Sequence, residues 1–351
     1  MNWTLTPANR FGDWAGRWCE LHRAAGAPVL LDADFVAPLL AEFGSGAELL
    51  ACCEQDGVLQ AMAIVAPRGP ASWATFQPAQ APLGIWLQLP GLEPAPLLDA
   101  LLRALPGCAL VFSLTQCDPA LLARPRPTAQ MDTLDYIDTA RVTLVGGFAQ
   151  YWATRGKNLR ANLKKQRARL IKEGVATRLQ VSRDPAEMAA AVADYGRLES
   201  AGWKAGGGTA VHPDNAQGRY YRSMLEALCR RGAASVYRYW IGERLAAMDL
   251  CVEDAGCVVV LKTSYDESVA GGLSPALLMR EEACQALFDA GRLARIEFYG
   301  RVMEWHLRWT DEVRTLYHVN YYRWPALRRL HALWRRRAAR APAPIPLTEQ
   351  A

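Results

Sequence analysis

Three segments combine residue types and spacings that could do chemistry. The first is Leu198–Ala210, LESAGWKAGGGTA, where a helix end runs into a glycine run at 206–208. Consecutive glycines let the backbone approach a ligand closely and adopt positive φ. Trp203 and Lys204 beside such a loop suit a pocket wall with one cationic contact, and Glu199 falls on the same rim as a proton acceptor. A flexible connector has the same composition, so both readings stand. The second segment is Leu261–Ala283, where an apolar strand turns into the polar run Lys262, Thr263, Ser264, Tyr265 and Asp266 and then the pair Gly271 and Gly272. Ser274 fits the N-cap and Pro275 the N1 position of the helix that follows. A glycine loop feeding a helix N-terminus offers unpaired N–H groups and a positive dipole end, the physical basis of phosphate binding. Neither GxxxxGK[ST] nor GxGxxG occurs, which excludes a P-loop and a dinucleotide fingerprint.

The third segment, Lys157–Lys172, places Lys157, Arg160, Lys164 and Arg167 on one helix side, opposite Leu159, Leu163 and Leu170. Such a side either holds a phosphate-rich ligand or is simply solvated. Lysine is scarce: of 40 basic residues only six are Lys, at 157, 164, 165, 172, 204 and 262. Lys204 and Lys262 stand outside the basic helix, where a compact, hydrated or titratable charge serves a purpose that a planar guanidinium does not.

The elements that must position these residues repeat. Ala47–Cys53 and Val58–Ala66 flank the turn Asp56-Gly57 as a hairpin, Ser72–Gln77 and Ile85–Leu89 read as strands, Ala95–Leu105 as a helix and Ala109–Thr115 as a buried strand. About 180 residues later the same order returns. Ser235–Ile241 and Arg244–Glu253 flank Gly242-Glu243, Cys257–Ser264 follows, then a helix over Pro275–Ala290 stopped by Gly291, then a strand over Leu293–Tyr299. The pattern implies an internal duplication. Helices are expected over Phe148–Lys172, Asp184–Trp203 and Pro213–Arg230, and a frayed end after Trp324.

Composition narrows the class. Apolar residues make up 51% and charged residues 21%, which excludes disordered and fibrous classes. Nine cysteines lie scattered in apolar surroundings without a CxxC and without metal-ligand spacing to the five histidines, so free buried thiols and no metal are expected. The net charge of +5 belongs to the tail. From Arg323 onward there are seven arginines and one acid, and the preceding 322 residues are within one charge of neutrality. A nucleic-acid-binding body would carry its own basic surplus, so DNA is not an expected partner. No stretch is long and apolar enough for a membrane span, and Met1–Trp14 has no signal-peptide pattern.

Hairpin, strand, glycine loop, helix, strand in the second half resembles the GNAT acyltransferase fold, and the wider motif order is similar to its CelD/BioF-like branch. That branch groups with FemAB-type proteins that carry two GNAT-like domains. The matching residues are Glu199, Trp203, Lys204, Gly208, Thr209, Lys262, Tyr265, Asp266, Ser274, Pro275 and Leu278. The final motif reads Glu297, Phe298, Gly300, Trp305, His306 and Trp309, with His306 where the branch has Lys and Glu297 where it has Asp. The GNAT pyrophosphate signature is absent before Ser274.

The resemblance implies an α/β (α+β) chain of two tandem GNAT-like domains, each a mixed, mostly antiparallel sheet flanked by helices. They would be a degenerate domain over 1–145 and an acyltransferase domain over 146–322, followed by a basic, Pro-rich tail over 323–351. It implies an N-acyltransferase moving an acyl group, typically acetyl, from acyl-CoA to an amine in cell-envelope or exopolysaccharide biosynthesis, without a metal. Acyl transfer needs a base, donors for an oxyanion and an acid for the thiolate. Candidate bases are Glu199 and Asp266, with Asp249 a third; candidate acids are Tyr265 and Tyr299; the oxyanion donor is a backbone N–H around Leu261–Ser264. Acyl-CoA would be held by Lys262, Thr263, Ser264, Gly271, Gly272, Leu273, Ser274 and Leu278. The acceptor, a small-molecule or saccharide amine, would be held by Trp203, Lys204, Gly208, Thr209, Trp305 and His306. Two other classes remain open, an aminoacyl-tRNA-dependent FemAB-type transferase and a non-catalytic assembly protein for polysaccharide synthesis. The stretch 324–340 is basic and amphipathic, so a cytoplasmic protein with weak peripheral contact to the inner membrane face is expected.

Overall fold

The computed structural model describes residues 1–201, 210–254, 256–269 and 272–338. The expectations for Trp203, Lys204, Gly208, Thr209 and Gly271 lie outside the described residues. The first half contains β1 (Asn2–Pro7), α1 (Phe11–Ala25), α2 (Ala33–Phe43), β2 (Leu49–Gln55), β3 (Val58–Gly69), β4 (Ser72–Thr75), β5 (Trp86–Gln88), α3 (Pro94–Ala104), β6 (Val111–Cys117) and β7 (Met131–Thr143). Two helices follow, α4 (Phe148–Thr154) and α5 (Lys157–Lys172). The second half contains β8 (Thr177–Ser182), α6 (Met188–Ala201), α7 (Ala216–Cys229), β9 (Ala234–Ile241), β10 (Arg244–Glu253) and β11 (Cys257–Tyr265). It closes with α8 (Pro275–Ala290), β12 (Arg295–Phe298), α9 (Glu304–Leu307), β13 (Val313–Tyr322) and α10 (Pro325–Ala338).

All thirteen strands join one mixed sheet in the order β1-β2-β3-β4-β6-β13-β7-β12-β11-β10-β9-β8, with β5 paired to β3. The order is its own mirror: β1, β2, β3, β4 and β6 of the first half answer β8, β9, β10, β11 and β12 of the second. Each half has one parallel pair, β4 with β6 and β11 with β12, and its other pairs are antiparallel. Even the irregularities correspond. Gln60 is an extra residue in β3 against β2, and Ala246 is an extra residue in β10 against β9. The expected duplication is therefore a pseudo-two-fold in the structure.

The last strands are exchanged between the halves. β7 pairs with β12 of the second half, and β13 pairs with β6 of the first, while β7 and β13 also pair with each other. The sheet thus crosses the centre through strands whose chain order gives no hint of their partners. On one face α1 and α2 merge with α6 and α7 in a single core, with Phe35 and Phe43 meeting Tyr220 edge-on. On the other face α3 covers the first half, and α8 with α4 and α5 covers the second. Aromatic edge contacts of this kind add about 1 kcal/mol each beyond the area they bury.

The structure differs from the periodicity reading in places. The helix expected over Phe148–Lys172 breaks at Gly156, which is extended (ψ 135°) and starts α5. The first part of the tail expected to fray, Pro325–Ala338, is helical as α10, and the Pro-rich remainder lies outside the described residues. Seven of the nine cysteines are buried as free thiols, but Cys108 is exposed and Cys19 half-buried.

Candidate active site

The site grows out of an interruption in β11. Its parallel pairing with β12 runs only from Cys257–Arg295 to Val259–Glu297, and beyond that the two strands diverge. On its other side, Cys251 of β10 pairs with Val260 and Leu250 with Lys262, so Leu261 is an extra residue. Such a bulge bends the strand and leaves one backbone unit out of the ladder. It also shifts the alternation of faces. Val258 and Val260 pack under α8, Val259 and Leu261 pack under α6 and α7, and Lys262 falls on the same side as Leu261. Thr263 then returns to the α8 side.

Each side of this bulged strand has a cleft. The first, of about 600 Å³, lies between the halves. Its second-half wall is Val259–Lys262, Tyr299, Arg301 and residues of α7, and its first-half wall is the loop after β4 with Gln116 and Tyr136. Lys262 Nζ lies 3.2 Å from Glu199 Oε1 and 3.5 Å from Gln217 Oε1, and sits over the rings of Tyr195 and Tyr221 at 5.6 and 5.5 Å. Glu199 is buried, and its Oε2 accepts the Val211 N–H at 2.7 Å. These donors, one on each oxygen, offset the cost of taking the carboxylate out of water.

Tyr299 lines the same cleft, but its hydroxyl donates to Asp118 Oδ2 at 2.9 Å. Arg314 of β13 clamps Asp118 through Nε and Nη2 at 2.9 and 2.6 Å, reaches Glu297 at 2.8 Å and lies over the Tyr299 ring. Burial, with the Asp118 carboxylate next to it, holds the Tyr299 phenol well above its ordinary pKa. This network ties the exchanged strand β13 to both halves.

The second cleft, of about 490 Å³, opens at the N-terminus of α8. Thr263, Tyr265, Asp266, Leu273, Ser274, Arg280, Trp305 and Arg308 are among its lining residues. Ser274 occupies the N-cap position as expected, but its hydroxyl makes no capping bond. Its N–H donates instead to Gln166 Oε1 of α5 at 2.7 Å. Pro275 has no N–H and the Leu277 and Leu278 N–H groups both donate to the Ser274 carbonyl, so the Ala276 N–H is what the first turn of α8 has to offer a ligand, beside two arginines. Arg280 is buried in an ion pair with Asp249 at 2.8 Å, and the Thr263 hydroxyl donates to Asp249 at 2.6 Å. Arg308 is exposed on the cleft.

The expected site residues divide between these clefts. Lys262 and Tyr299 line the inter-half cleft, with the buried Glu199 behind Lys262 and not on the cleft surface, whereas Asp266, Tyr265, Thr263, Leu273 and Ser274 line the α8 cleft. Lys262 was grouped with the donor-binding residues, and the bulge at Leu261 is what turns it away from α8. Asp266 is engaged by Arg244 at 2.6 Å and by Ser268 at 2.7 Å. Burial acts to raise its pKa, but these bonds outweigh it and hold the carboxyl below its ordinary value. Asp249 is committed to Arg280 and Thr263. Ser264 and Leu278 are buried without lining either cleft, and Leu278 belongs to the core under α8. Gly272 adopts φ +76° before α8. Trp305 lines the α8 cleft, but His306 does not: it is buried, stacked on Trp305 at 3.5 Å, and its Nδ1 accepts the Met303 N–H at 3.0 Å. Burial, with Arg280 nearby, pushes its imidazole down to about 4, so it is neutral and caps α9.

The basic side of α5 is partly structural. Arg167 bridges to Glu281 and Glu282 of α8 at 2.6 and 2.8 Å, and Arg160 donates to the Arg155 carbonyl. Sequence reasoning missed Arg280, Arg308, Gln116 and Gln217. An arginine among Leu278, Met279, Ala283 and Cys284, facing an aspartate inside the apolar run of β10, is the signal that could have found Arg280.

Residues 157–307 match the model of an acetyltransferase (GNAT) domain family. No curated protein matches the chain. Among solved structures the chain is similar to FemX, with a TM-score of 0.55 and 9% identity over 90% of this chain and 98% of that one. It is also similar to the C-terminal domain of a putative lysylphosphatidylglycerol synthetase from Agrobacterium fabrum, with a TM-score of 0.54 and 14% identity over 92% and 95% of the two chains. A conserved protein of unknown function from Bacteroides thetaiotaomicron gives a TM-score of 0.52 and 9% identity over 87% and 91%.

Proposed function

We propose that the protein is an acyltransferase of the FemAB-like group that brings an acyl donor into the α8 cleft and an amine into the inter-half cleft, and joins them across the bulge at Leu261. The observation that carries this reading is the position of the two clefts on opposite sides of one bulged strand. The residues of the α8 cleft fit a phosphate-bearing acyl thioester such as acyl-CoA. The Ala276 N–H at the start of α8 and Arg308 suit a phosphate group, and Trp305 and Leu273 suit an apolar arm. Such a donor supplies an electrophilic carbonyl and a thiolate leaving group.

Glu199 is the base on the acceptor side: it takes the ammonium proton, so that the amine becomes nucleophilic. Lys262 holds the Glu199 carboxylate in place. The backbone at Leu261, outside the ladder, donates to the developing oxyanion. Tyr265, exposed on the donor side, protonates the departing sulfur, whereas the Tyr299 hydroxyl is engaged as a hydrogen-bond donor to Asp118. The test is acetyl transfer from radiolabelled acetyl-CoA to a panel of amines. Enzyme-dependent product with at least one amine supports the reading, and no product together with no acetyl-CoA binding removes it.

A second reading keeps the fold and changes the donor. The likeness to the domain from a putative lysylphosphatidylglycerol synthetase makes aminoacyl transfer the natural alternative, and exposed Lys157, Lys164, Lys165 and Lys172 on α5 would suit a polyanionic donor. Strongly salt-dependent binding of charged tRNA, with acetyl-CoA inert, would favour it.

We also propose weak attachment to an anionic membrane surface through α10. No helix among the described residues is long and apolar enough to cross a membrane. Trp324, Leu330 and Leu333 are about half exposed or more, beside Arg328 and Arg329. Exposed apolar residues among arginines bind an interface at low salt. Liposome sedimentation that is unchanged after truncation at Trp324 would remove this part.

A further inference from the structure

Gln116 stands inside strand β6 with φ +47°, and Asp56, in a hairpin turn, is the other described non-glycine residue in the left-handed region. That conformation is unfavourable for a residue with a side chain and persists only where surroundings enforce it. The enforcement is visible. Leu114 pairs with Val319 and Cys117 with Tyr317, so Thr115 and Gln116 together oppose the single residue His318. The Gln116 N–H donates to His318 Nδ1 at 2.9 Å. On the other side, the Thr115 N–H donates to Thr75 Oγ1 at 3.0 Å, and the Gly84 N–H donates to the Thr115 carbonyl at 3.1 Å. The result of a bulge is a re-aimed side chain, and here Gln116 lines the inter-half cleft.

Gln116 does not line it alone. Gln77 and Gln80 come from the loop after β4 and Gln217 from α7, with the rings of Tyr136 and Tyr221 between them. No Asp or Glu is among the described lining residues; the cations are Lys262, paired with Glu199, and Arg301 at the rim. A carboxamide offers donors and an acceptor at one uncharged end. That is the chemistry that matches hydroxyl groups, each of which donates and accepts. A polyamine or a basic peptide would call for acidic lining, and an acyl chain for an apolar one.

We propose that the first half of the chain sets acceptor specificity, and that the acceptor is a polyhydroxylated amine, a saccharide, whose hydroxyls are read by carboxamides including Gln116. His318 is a positioning residue: it acts by holding Gln116 in the left-handed region. This inference rests on the inter-half cleft being the acceptor site, and it changes what the first half is. Its counterpart of the α8 N-terminus is α3, which starts at Pro94 with Glu93 as N-cap, an acid where a phosphate would need the opposite charge. The half that has lost a donor site supplies an acceptor wall.

The test is direct binding to the full-length protein by calorimetry, with the glucosamine disaccharide as one probe and 1,5-diaminopentane as the other. The disaccharide is expected to bind and the diamine not. Gln116→Gly, which relieves the backbone, should weaken disaccharide binding about five-fold without lowering the melting temperature, and Gln116→Asn, which tolerates the left-handed region, should recover part of it. His318→Ala should weaken disaccharide binding while leaving the acetyl-CoA thermal shift unchanged. Equal binding of the two probes, absence of disaccharide binding at millimolar concentration, or an unchanged disaccharide affinity in Gln116→Gly overturns the proposal. Acetyl-CoA binding is read separately. Gln116-dependent disaccharide binding with no acetyl-CoA binding overturns the acyl-CoA reading and supports this one.

Discussion

Lys262 and Thr263 are neighbours in β11 and serve different clefts. The Lys262 ammonium lies 3.2 Å from Glu199 on the α6–α7 side, and the Thr263 hydroxyl donates to Asp249 at 2.6 Å on the α8 side. Alternation alone puts adjacent residues on opposite faces. What the extra residue Leu261 decides is which face each receives, and hence which cleft each side chain reaches. A one-residue slip of this kind reverses every assignment beyond it.

The Asp249–Arg280 pair supports that geometry from below the donor cleft. Both side chains are at least nine-tenths buried. Removing one partner leaves a buried charge unpaired, which costs about 3–5 kcal/mol. Asp249→Asn should therefore lower stability by that order in urea unfolding, and pairing it with Arg280→Met should recover much of the loss. A single-variant cost below about 1 kcal/mol would contradict the pairing.

The two tyrosines separate by stability. Tyr299→Phe removes the donor to Asp118 inside a buried network and should destabilise by about 1–3 kcal/mol. Tyr265 is 45% exposed, so Tyr265→Phe should change stability by less than about 0.5 kcal/mol. Turnover should respond the other way, with Tyr265→Phe about 100-fold slower. Full activity in Tyr265→Phe would remove it as the acid.

Arg308 offers its charge to the donor cleft without any buried structural duty. Arg308→Glu should weaken acetyl-CoA binding about ten-fold, with a loss that shrinks as salt rises. An unchanged affinity would place the pyrophosphate elsewhere.

His306 makes stability depend on pH. Its folded pKa is held down at about 4, against an ordinary 6.5. Between those values the unfolded chain takes up a proton that the folded chain refuses, so stability is full above pH 6.5 and falls as the pH drops toward 4, by up to ~3 kcal/mol. His306→Gln should flatten that part of the curve. The same slope in the variant would assign it to other groups.

Much of this architecture is legible in local pattern. The hairpins around Asp56-Gly57 and Gly242-Glu243, the two copies of strand–helix–strand, and Gly291 closing α8 are set by turn chemistry and periodicity, and they appear where expected. The exchange of β7 and β13 is not legible, because strand partners more than 150 residues apart depend on the whole sheet. Nor is the side to which Lys262 turns, since nothing in LKTSY announces an extra residue at Leu261. Asp249 stands in the sequence as a third candidate base, but its partner Arg280 reads as a solvated residue until the fold buries it. Gln116 carries no composition signal at all. Its importance is a backbone angle.

The measurement that tests the central claim most directly is the Glu199→Gln variant, assayed for acetyl-CoA binding and for acetyl transfer on the same sample. Glutamine keeps the size of the side chain and one acceptor oxygen, which can serve the Val211 N–H though not Lys262 as well, and the donor cleft on the other side of β11 should be intact. The account predicts unchanged acetyl-CoA affinity and a turnover at least about 100-fold lower. Turnover within two-fold of the parent protein, or an acetyl-CoA affinity that falls with it, would contradict the division of the two substrates between the two sides of β11.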